Sequence, residues 1–150
     1  MSLLAMLVSA TFALCSGGPR DTCVVDGDTF WLGGEKVRIA DINAPETHGA
    51  GCPREQAQGK EAARRLAQLL NEGAFALEAA NRDRDRYGRK LRIVTRAGRS
   101  LGARLVDEGL AEPWLGRRSD WCRLSGNDTK APVFPRIGWI TALLRLRSGR

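Results

Sequence analysis

A chain of 150 residues with 43% hydrophobic and 27% charged side chains has the composition of one small globular domain, which excludes a disordered chain and a large multidomain protein. The formal net charge of +7 is unevenly spread, since residues 21–122 carry a net +1 and residues 123–150 a net +5. Overall charge is therefore weak evidence for nucleic-acid binding by the central region. Residues 82–104 hold nine Lys and Arg against two acidic residues, which fits either a phosphate-tracking surface or a solvated basic face.

Residues 1–20 predict an export segment and a linker. Residues 3–14 form an apolar run of 12, too short to span a bilayer and typical of a signal-peptide core, although no Lys or Arg precedes it. Cys15 lies in a weak lipoprotein-type cleavage box, which would allow membrane contact through this segment. The predicted location is periplasmic, secreted or lipid-anchored. A buried N-terminal helix or a misassigned start are the alternatives, and the protein would be cytoplasmic if the segment is not a signal.

The four cysteines match no zinc pattern, and the chain has a single histidine, His48. If the protein is exported, two of the later three, Cys23, Cys52 and Cys122, could pair. The sequence alone does not say which two.

Three short strands are predicted in succession, over residues 22–25, 29–32 and 36–42. The turn Asp26-Gly27-Asp28 between the first two is a strong hairpin signal. The spacing of Ala62, Ala63, Leu66, Leu69 and Leu70 then predicts a helix over 55–70.

Two further strands are predicted over 74–79 and 90–95, followed by a helix that Ser100 caps and that runs to Glu108. Three strands, a helix, two strands and a helix indicate an α+β, mainly β fold. We predict a five-stranded OB-fold barrel with two or three helices, spanning residues 21–122.

Residues 123–150 differ in character from this domain. A turn-rich stretch leads to an apolar segment, 137–146, with arginines around it. This tail is either a short amphipathic helix on the domain or a membrane surface, or unnatural sequence from a frameshift or read-through.

The segment 37–46 carries the residues with the clearest chemistry. Arg38 and Asp41 interrupt an apolar strand, where a buried unpaired charge is costly. Asn43 and Glu46 flank a proline at its end, and Asp28 lies in the neighbouring hairpin. Such oxygen donors suit Ca²⁺ or Mg²⁺ better than zinc, and arginine forks suit phosphate.

Three motifs in this order resemble the staphylococcal nuclease (thermonuclease) family. They are residues 23–29 (CVVDGDT), 37–46 (VRIADINAPE) and 85–89 (DRYGR). The resemblance covers roughly residues 22–114. It implies a five-stranded OB barrel and a Ca²⁺-dependent nuclease that cuts DNA and RNA.

The resemblance also implies roles for individual residues. Asp28 matches the main metal-ligating aspartate, and Ala44 would offer its backbone carbonyl to the metal. Glu46 matches the general base, while Arg38 and Arg89 match the two phosphate-clamping arginines. Asp26 would shape the turn or contact the residues that bind the metal without binding it itself.

Two departures from the family pattern are visible. Asn43 stands where a second ligating aspartate is usual, so weaker metal binding is expected. The family's nucleotide-contacting tyrosines are not reproduced, and Trp114 could instead stack on a base or simply pack.

Family-like geometry would also allow Cys52 to pair with Cys122. Nothing in the sequence indicates an obligate protein partner, and we expect a monomer that acts on DNA or RNA. The alternative function is a non-catalytic OB-fold module that binds nucleic acid. A structural envelope protein with a decayed site is a weaker third interpretation.

Overall fold

The computed structural model describes residues 6–123, which form a strongly curled sheet and two helices. The strands in chain order are β1 (Leu7–Val8), β2 (Ala13–Leu14), β3 (Cys23–Asp26), β4 (Thr29–Leu32), β5 (Glu35–Ile39), β6 (Ile42–Asn43), β7 (Phe75–Arg84), β8 (Lys90–Arg96), β9 (Arg99–Ser100) and β10 (Glu112–Pro113). The helices are α1 (Pro53–Asn71), between β6 and β7, and α2 (Leu101–Asp107), after β9.

The sheet confirms the predicted fold class. Its order is β1-β7-β8-β5-β4-β3-β2, and the five longest strands within it are those predicted for the barrel. β5 and β8 are parallel, whereas β3, β4 and β5 form the predicted meander. β6 leaves this sheet and pairs with β10 in a separate two-stranded sheet. The result is a curled, OB-like half-barrel with one long and one short helix.

The apolar N-terminal segment is part of this fold. β1 pairs antiparallel with β7 at one edge of the sheet, and β2 pairs in parallel with β3 at the other. One stretch of eight residues, 7–14, therefore reaches from one sheet edge to the other. Both edges, which would otherwise present unpaired backbone groups, gain a partner.

Phe12 anchors the segment in the hydrophobic core. Its ring is buried and packs edge-to-face on Phe30, with centroids 5.7 Å apart, and against Phe75 at 5.9 Å. The side chain of Asn71, at the end of α1, binds both backbone groups of Phe12 at 2.8 Å. The segment is thus held by packing and by hydrogen bonds.

In the structure, residues 6–15 pack against the domain, whereas the sequence predicted an export segment joined to it by a linker. A run of apolar residues with small neighbours has the same composition whether it enters a signal-recognition site or a protein core. Cys15 forms a disulfide with Cys23, so the sulfur that a lipid anchor would require is engaged. Export itself stays a prediction.

Helix α1 lies against the sheet through the predicted face. Ala62, Ala63, Leu66, Leu69 and Leu70 are all buried. The helix begins at Pro53, two residues before the predicted start, because proline is favourable in the first turn. Its N-cap residue, Cys52, forms a disulfide with Cys122, so the pairing that family geometry allowed is confirmed.

Smaller differences lie at element ends. β7 continues to Arg84, five residues beyond the end of the strand predicted over 74–79. The predicted strand 36–42 divides into β5 and β6. Ser100 caps α2 as predicted, accepting a hydrogen bond from Ala103 N at 3.0 Å.

Two predictions concern membranes and the tail. Among residues 6–123, no helix has the length and apolarity needed to cross a membrane. The proposed helix at 137–146, and with it a third helix of the chain, lies outside the described residues.

Replacing Phe12 with alanine is expected to lower the free energy of unfolding by about 3–5 kcal/mol, because a buried aromatic ring is lost from the core. Urea denaturation followed by far-UV circular dichroism measures this. Leu7→Ala is the control, since that side chain is 71% exposed and its loss should cost little. Equal stability of both variants would contradict the core position of Phe12.

Candidate nucleic-acid hydrolysis site

Asp28 is the central carboxylate of the candidate site. It lies in the turn between β3 and β4 and is buried. Its Oδ2 accepts a hydrogen bond from Ala44 N at 2.7 Å and lies 3.2 Å from Arg38 Nη2, while Oδ1 accepts from Thr29 at 2.9 Å. The turn is thereby tied to the segment that follows β6.

Asp26 holds the same segment through hydrogen bonds with Thr47. Its Oδ1 accepts from Thr47 N at 2.9 Å and from the Thr47 hydroxyl. Burial, with smaller contributions from nearby Glu46 and Asp28, raises the pKa of Asp26 to about 6. Asp26 therefore supports the loop that carries Glu46, which agrees with the supporting role that the family resemblance implied.

Glu55 holds that loop from the helix side. It is buried in the first turn of α1, where its Oε1 accepts from Glu46 N at 3.2 Å and its Oε2 from Gly51 N at 2.7 Å. A glutamate three residues after the N-cap commonly reaches back to free backbone N–H groups. Here it fixes the backbone on both sides of the loop between Glu46 and Gly51.

Two glycines permit the close contact between this loop and α1. A Cβ built on Gly59 would lie 2.5 Å from Glu46 O and 2.9 Å from Pro45 O. A Cβ on Gly27 would lie 2.6 Å from the Ala62 Cβ and 2.9 Å from the Ala44 Cβ. Real Cβ atoms do not approach other atoms this closely. A side chain at Gly27 or Gly59 would therefore displace the loop that carries Glu46.

Glu46 itself is partly exposed and pairs with a residue that the sequence did not single out. Its Oε1 lies 2.5 Å from Arg118 Nη1, in the segment after β10. His48, two residues on, is exposed, as expected for a residue without a role in the site.

Arg38 is buried next to Asp28, the candidate metal ligand. Besides Asp28, it binds the backbone carbonyl oxygens of Ile39 and of Ile42, the latter at 2.9 Å. Burial lowers the pKa of Arg38 from its ordinary value, Asp28 opposes this effect, and Arg89 and Arg118 add to it. The buried charge of Arg38 is thus paired with Asp28.

Asp41 binds elsewhere. Its Oδ2 accepts from the Ser100 hydroxyl at 2.6 Å, which connects the end of β5 to the cap of α2. Its backbone carbonyl accepts from Trp114 N at 2.9 Å. Asp41 thus fixes neighbouring elements rather than neutralising Arg38.

Arg89 is positioned by the turn before β8. Asp85 accepts hydrogen bonds from Arg89 N at 3.0 Å and from Arg89 Nε at 2.7 Å. The guanidinium also lies 5.4 Å from the Tyr87 ring centroid. Within the described part of the chain, its two terminal nitrogens make no hydrogen bond, so they are available to a phosphate.

Arg38 and Arg89 line the same open cavity of about 800 Å³. Its wall also includes Tyr87, Trp114 and residues 116–118. Asp28, Asn43 and Glu46 do not line it; Asp28 adjoins it through Arg38, and Glu46 through Arg118. The structure thus brings the predicted residues together in two layers, with the arginines nearer the cavity.

Trp114 lies at the cavity wall, 41% exposed, with the Arg38 guanidinium carbon 5.7 Å from its ring centroid. The ring both packs on an arginine and keeps an accessible face. The two roles predicted for it are therefore compatible.

The donors near Asp28 fit a hard cation. Asn43 is 4% exposed, and its Nδ2 has no hydrogen-bond partner among the described residues. Within residues 6–123, no three His, Cys, Asp or Glu side chains form a metal-binding group. A metal here would need the Asn43 amide oxygen and the Ala44 carbonyl in addition to Asp28. These are oxygen donors of the kind that Ca²⁺ prefers.

Sequence reasoning missed three residues that build the site: Glu55, Gly59 and Arg118. Glu55 follows Pro53 at the spacing of a helix N-terminal clamp, and this signal was available. A glycine inside a predicted helix signals a close approach. Arg118 carries no local signal, since its partner lies 72 positions earlier.

The fold and site define a class: an OB-like barrel with carboxylates at a hairpin turn and arginines on an adjoining cavity. The chain belongs to the staphylococcal nuclease homologue family, whose model matches residues 36–120. The family resemblance carried by the three motifs is thereby confirmed.

Several curated relatives are similar to this chain. Endonuclease YncB of Bacillus subtilis is 39% identical over 93 residues, covering 58% of this chain and 43% of that protein. The SPbeta prophage-derived endonuclease YokF of the same organism is 39% identical over 93 residues, covering 58% and 31%. Thermonuclease of Staphylococcus hyicus is 33% identical over 92 residues, covering 59% and 54%. The chain thus spans about half or less of the length of these relatives.

Replacing Gly59 with alanine is expected to destabilise the protein by about 1–3 kcal/mol, because the methyl group collides with the backbone of Pro45 and Glu46. Urea denaturation gives the free energy of unfolding. Gly73→Ala is the control, because a Cβ there would lie 3.8 Å from its nearest neighbour, Arg96 Nε. An unchanged stability of the Gly59 variant would show that the loop is not held tightly on the helix.

Proposed function

We propose that this protein is a metal-dependent nuclease that hydrolyses phosphodiester bonds of DNA, RNA or both. The observation that carries the proposal is that Arg38 and Arg89 line one basic cavity while Asp28 and Glu46 adjoin it through ion pairs with Arg38 and Arg118, in a member of the staphylococcal nuclease homologue family. The relatives named as endonucleases support it.

Glu46 is the general base in this proposal. It lies on a loop that Asp26, Asp28 and Glu55 hold by hydrogen bonds. A carboxylate placed in this way takes a proton from water as that water attacks phosphorus. The rigid loop keeps the carboxylate in position for in-line attack.

Arg38 and Arg89 bind the non-bridging phosphate oxygens. Each guanidinium can donate two parallel hydrogen bonds to a phosphate. The arginines stabilise the negative charge that develops on these oxygens in the transition state. Arg89 suits this role because Asp85 accepts a hydrogen bond from its Nε and leaves both terminal nitrogens available to a phosphate.

Asp28, the Asn43 amide oxygen and the Ala44 carbonyl would hold a Ca²⁺ ion. A bound divalent cation supplies positive charge that polarises the phosphate. Since Asn43 brings no negative charge, the site has one carboxylate fewer than the family pattern, and we infer a lower Ca²⁺ affinity for this reason.

A non-catalytic OB-fold binding module is the alternative. Asn43 favours it, and so do the contacts of Asp28, whose two oxygens are already engaged by Ala44, Thr29 and Arg38. A binding module would retain nucleic acid without Ca²⁺ and leave it intact, so a Ca²⁺ titration of cleavage separates the two functions.

We infer that the protein works in an oxidising compartment, consistent with export. All four cysteines are paired, as Cys15–Cys23 and Cys52–Cys122. Disulfides persist in secreted and periplasmic proteins and are rare in the reducing cytosol.

Replacing Glu46 with glutamine is expected to lower kcat for single-stranded DNA by about 10²- to 10⁴-fold, because glutamine cannot accept the proton. Arg89→Ala should lower it by about 10²- to 10³-fold through loss of transition-state stabilisation. A fluorogenic oligonucleotide assay with Ca²⁺, and with chelator as the blank, measures both.

The matched control for these variants is Glu61→Gln, on the exposed face of α1. It makes the same chemical change outside the site and should cleave at the wild-type rate. Full activity of the Glu46 variant, or wild-type cleavage in chelator, would overturn the proposed mechanism.

Replacing Asn43 with aspartate is expected to lower the Ca²⁺ concentration for half-maximal cleavage about tenfold or more, because a second carboxylate attracts the cation. Asn81→Asp is the control, since it adds the same charge at an exposed position on the cavity wall. If both variants shift the Ca²⁺ midpoint equally, Asn43 is not a ligand.

A further inference from the structure

In the free protein, Arg118 forms an ion pair with Glu46, the proposed general base. Its Nη1 lies 2.5 Å from Glu46 Oε1, while 58% of the arginine side chain and 28% of the glutamate side chain remain exposed. One of the two carboxylate oxygens of the proposed base is thus engaged by a guanidinium. Both oxygens of Glu46 become available only when Arg118 takes another partner.

The segment that carries Arg118 is fixed at three places. At its start, β10 pairs with β6, which places Glu112 opposite Asn43. The Ser119 hydroxyl binds the Glu112 carboxylate and closes the intervening loop. At its end, Cys122 is bonded to Cys52, the N-cap of α1. Arg118 is therefore held at the site, unlike a surface arginine on a free tail.

The surroundings of Arg118 favour an anion as its other partner. The cavity that it lines has six arginines and two aspartates in its wall. Of those aspartates, Asp41 is engaged by Ser100 and Asp85 by Arg89. Arg118 also lies close enough to Arg38 to help lower its pKa. Because the wall holds six arginines against two aspartates that already have partners, this described part of the surface carries a net positive charge.

We propose that Arg118 is a third phosphate-binding guanidinium, which exchanges Glu46 for a backbone phosphate when nucleic acid binds. The exchange frees the carboxylate at the moment when substrate arrives. The proposal rests on the proposed function for the role of Glu46, but the phosphate contact itself needs no cleavage. Binding can therefore be tested separately from catalysis.

The first test measures the affinity of the full chain for a fluorescein-labelled 12-nucleotide single-stranded DNA by anisotropy, in chelator so that no cleavage occurs. Arg118→Ala should bind about tenfold more weakly, because a charge-assisted hydrogen bond is lost. The slope of log K against log salt should fall by about 0.7, the value for one phosphate contact on a single strand.

Arg99→Ala is the matched control. Arg99 is exposed and does not line the cavity, so its removal subtracts the same charge without a phosphate contact. Its affinity and salt slope should stay near the wild-type values. Wild-type affinity and slope in the Arg118 variant, equal losses in both variants, or no binding by the wild-type protein would each overturn the proposal.

Kinetics with Ca²⁺ provide a separate readout. Arg118→Ala should raise KM while kcat stays within about threefold, because Glu46 is already free in the substrate complex. A rise in kcat with unchanged DNA affinity would instead make Arg118 a block on Glu46 and overturn the phosphate contact. A wild-type protein that binds through Arg118 but never cleaves would refute the proposed nuclease and leave this inference standing.

The disulfide offers the last test, because it holds the segment in place. The double variant Cys52→Ser/Cys122→Ser should show the same loss of affinity and slope as Arg118→Ala, and adding Arg118→Ala to it should change little further. The control is Cys15→Ser/Cys23→Ser, which removes the other disulfide. Circular dichroism confirms that each variant is folded. Fully additive losses in a folded triple variant would show that the disulfide does not position Arg118.

Discussion

The architecture of the site depends on two carboxylates of one turn that hold the backbone of another loop. Asp28 accepts from Ala44 N, and Asp26 accepts from Thr47 N. The loop between these two attachment points carries Glu46. Because each contact joins residues at least 16 positions apart, the hairpin and the loop form a single rigid unit. Buried carboxylates that are fully hydrogen-bonded position their partners strongly, since breaking one contact leaves a buried charge uncompensated.

Much of the fold follows from local sequence, and the site follows in part. The hairpin turn, the apolar face of α1 and the Ser100 cap were predictable because each depends on residues within a few positions. Asp28 and Arg38 were placed together by the family pattern, and the structure joins them in an ion pair. The Cys15–Cys23 bond and the core position of Phe12 were not predicted, because an apolar run does not reveal whether it leaves the domain or enters it.

Charge illustrates the same limit of sequence reasoning. The basic stretch 82–104 could have been one continuous phosphate-binding face. In the structure, Arg92 binds Asp83, Arg96 binds backbone carbonyls near the end of α1, and Arg104 binds Glu108. Such partly exposed pairs contribute little stability, but they direct these arginines away from the cavity. Strand register determines which arginines lie beside a carboxylate or a backbone carbonyl and which do not. A count of charged residues in the sequence carries no information about register.

The N-terminal segment that joins both sheet edges also sets an order of events during synthesis. β1 finds its partner only in β7, and Phe12 is held by Asn71. Neither contact can form until more than 70 residues have been made. β1, which is made before the other strands of the curled sheet, is therefore among the last strands to become paired, and the nascent chain must keep this apolar stretch from aggregating until β7 has formed.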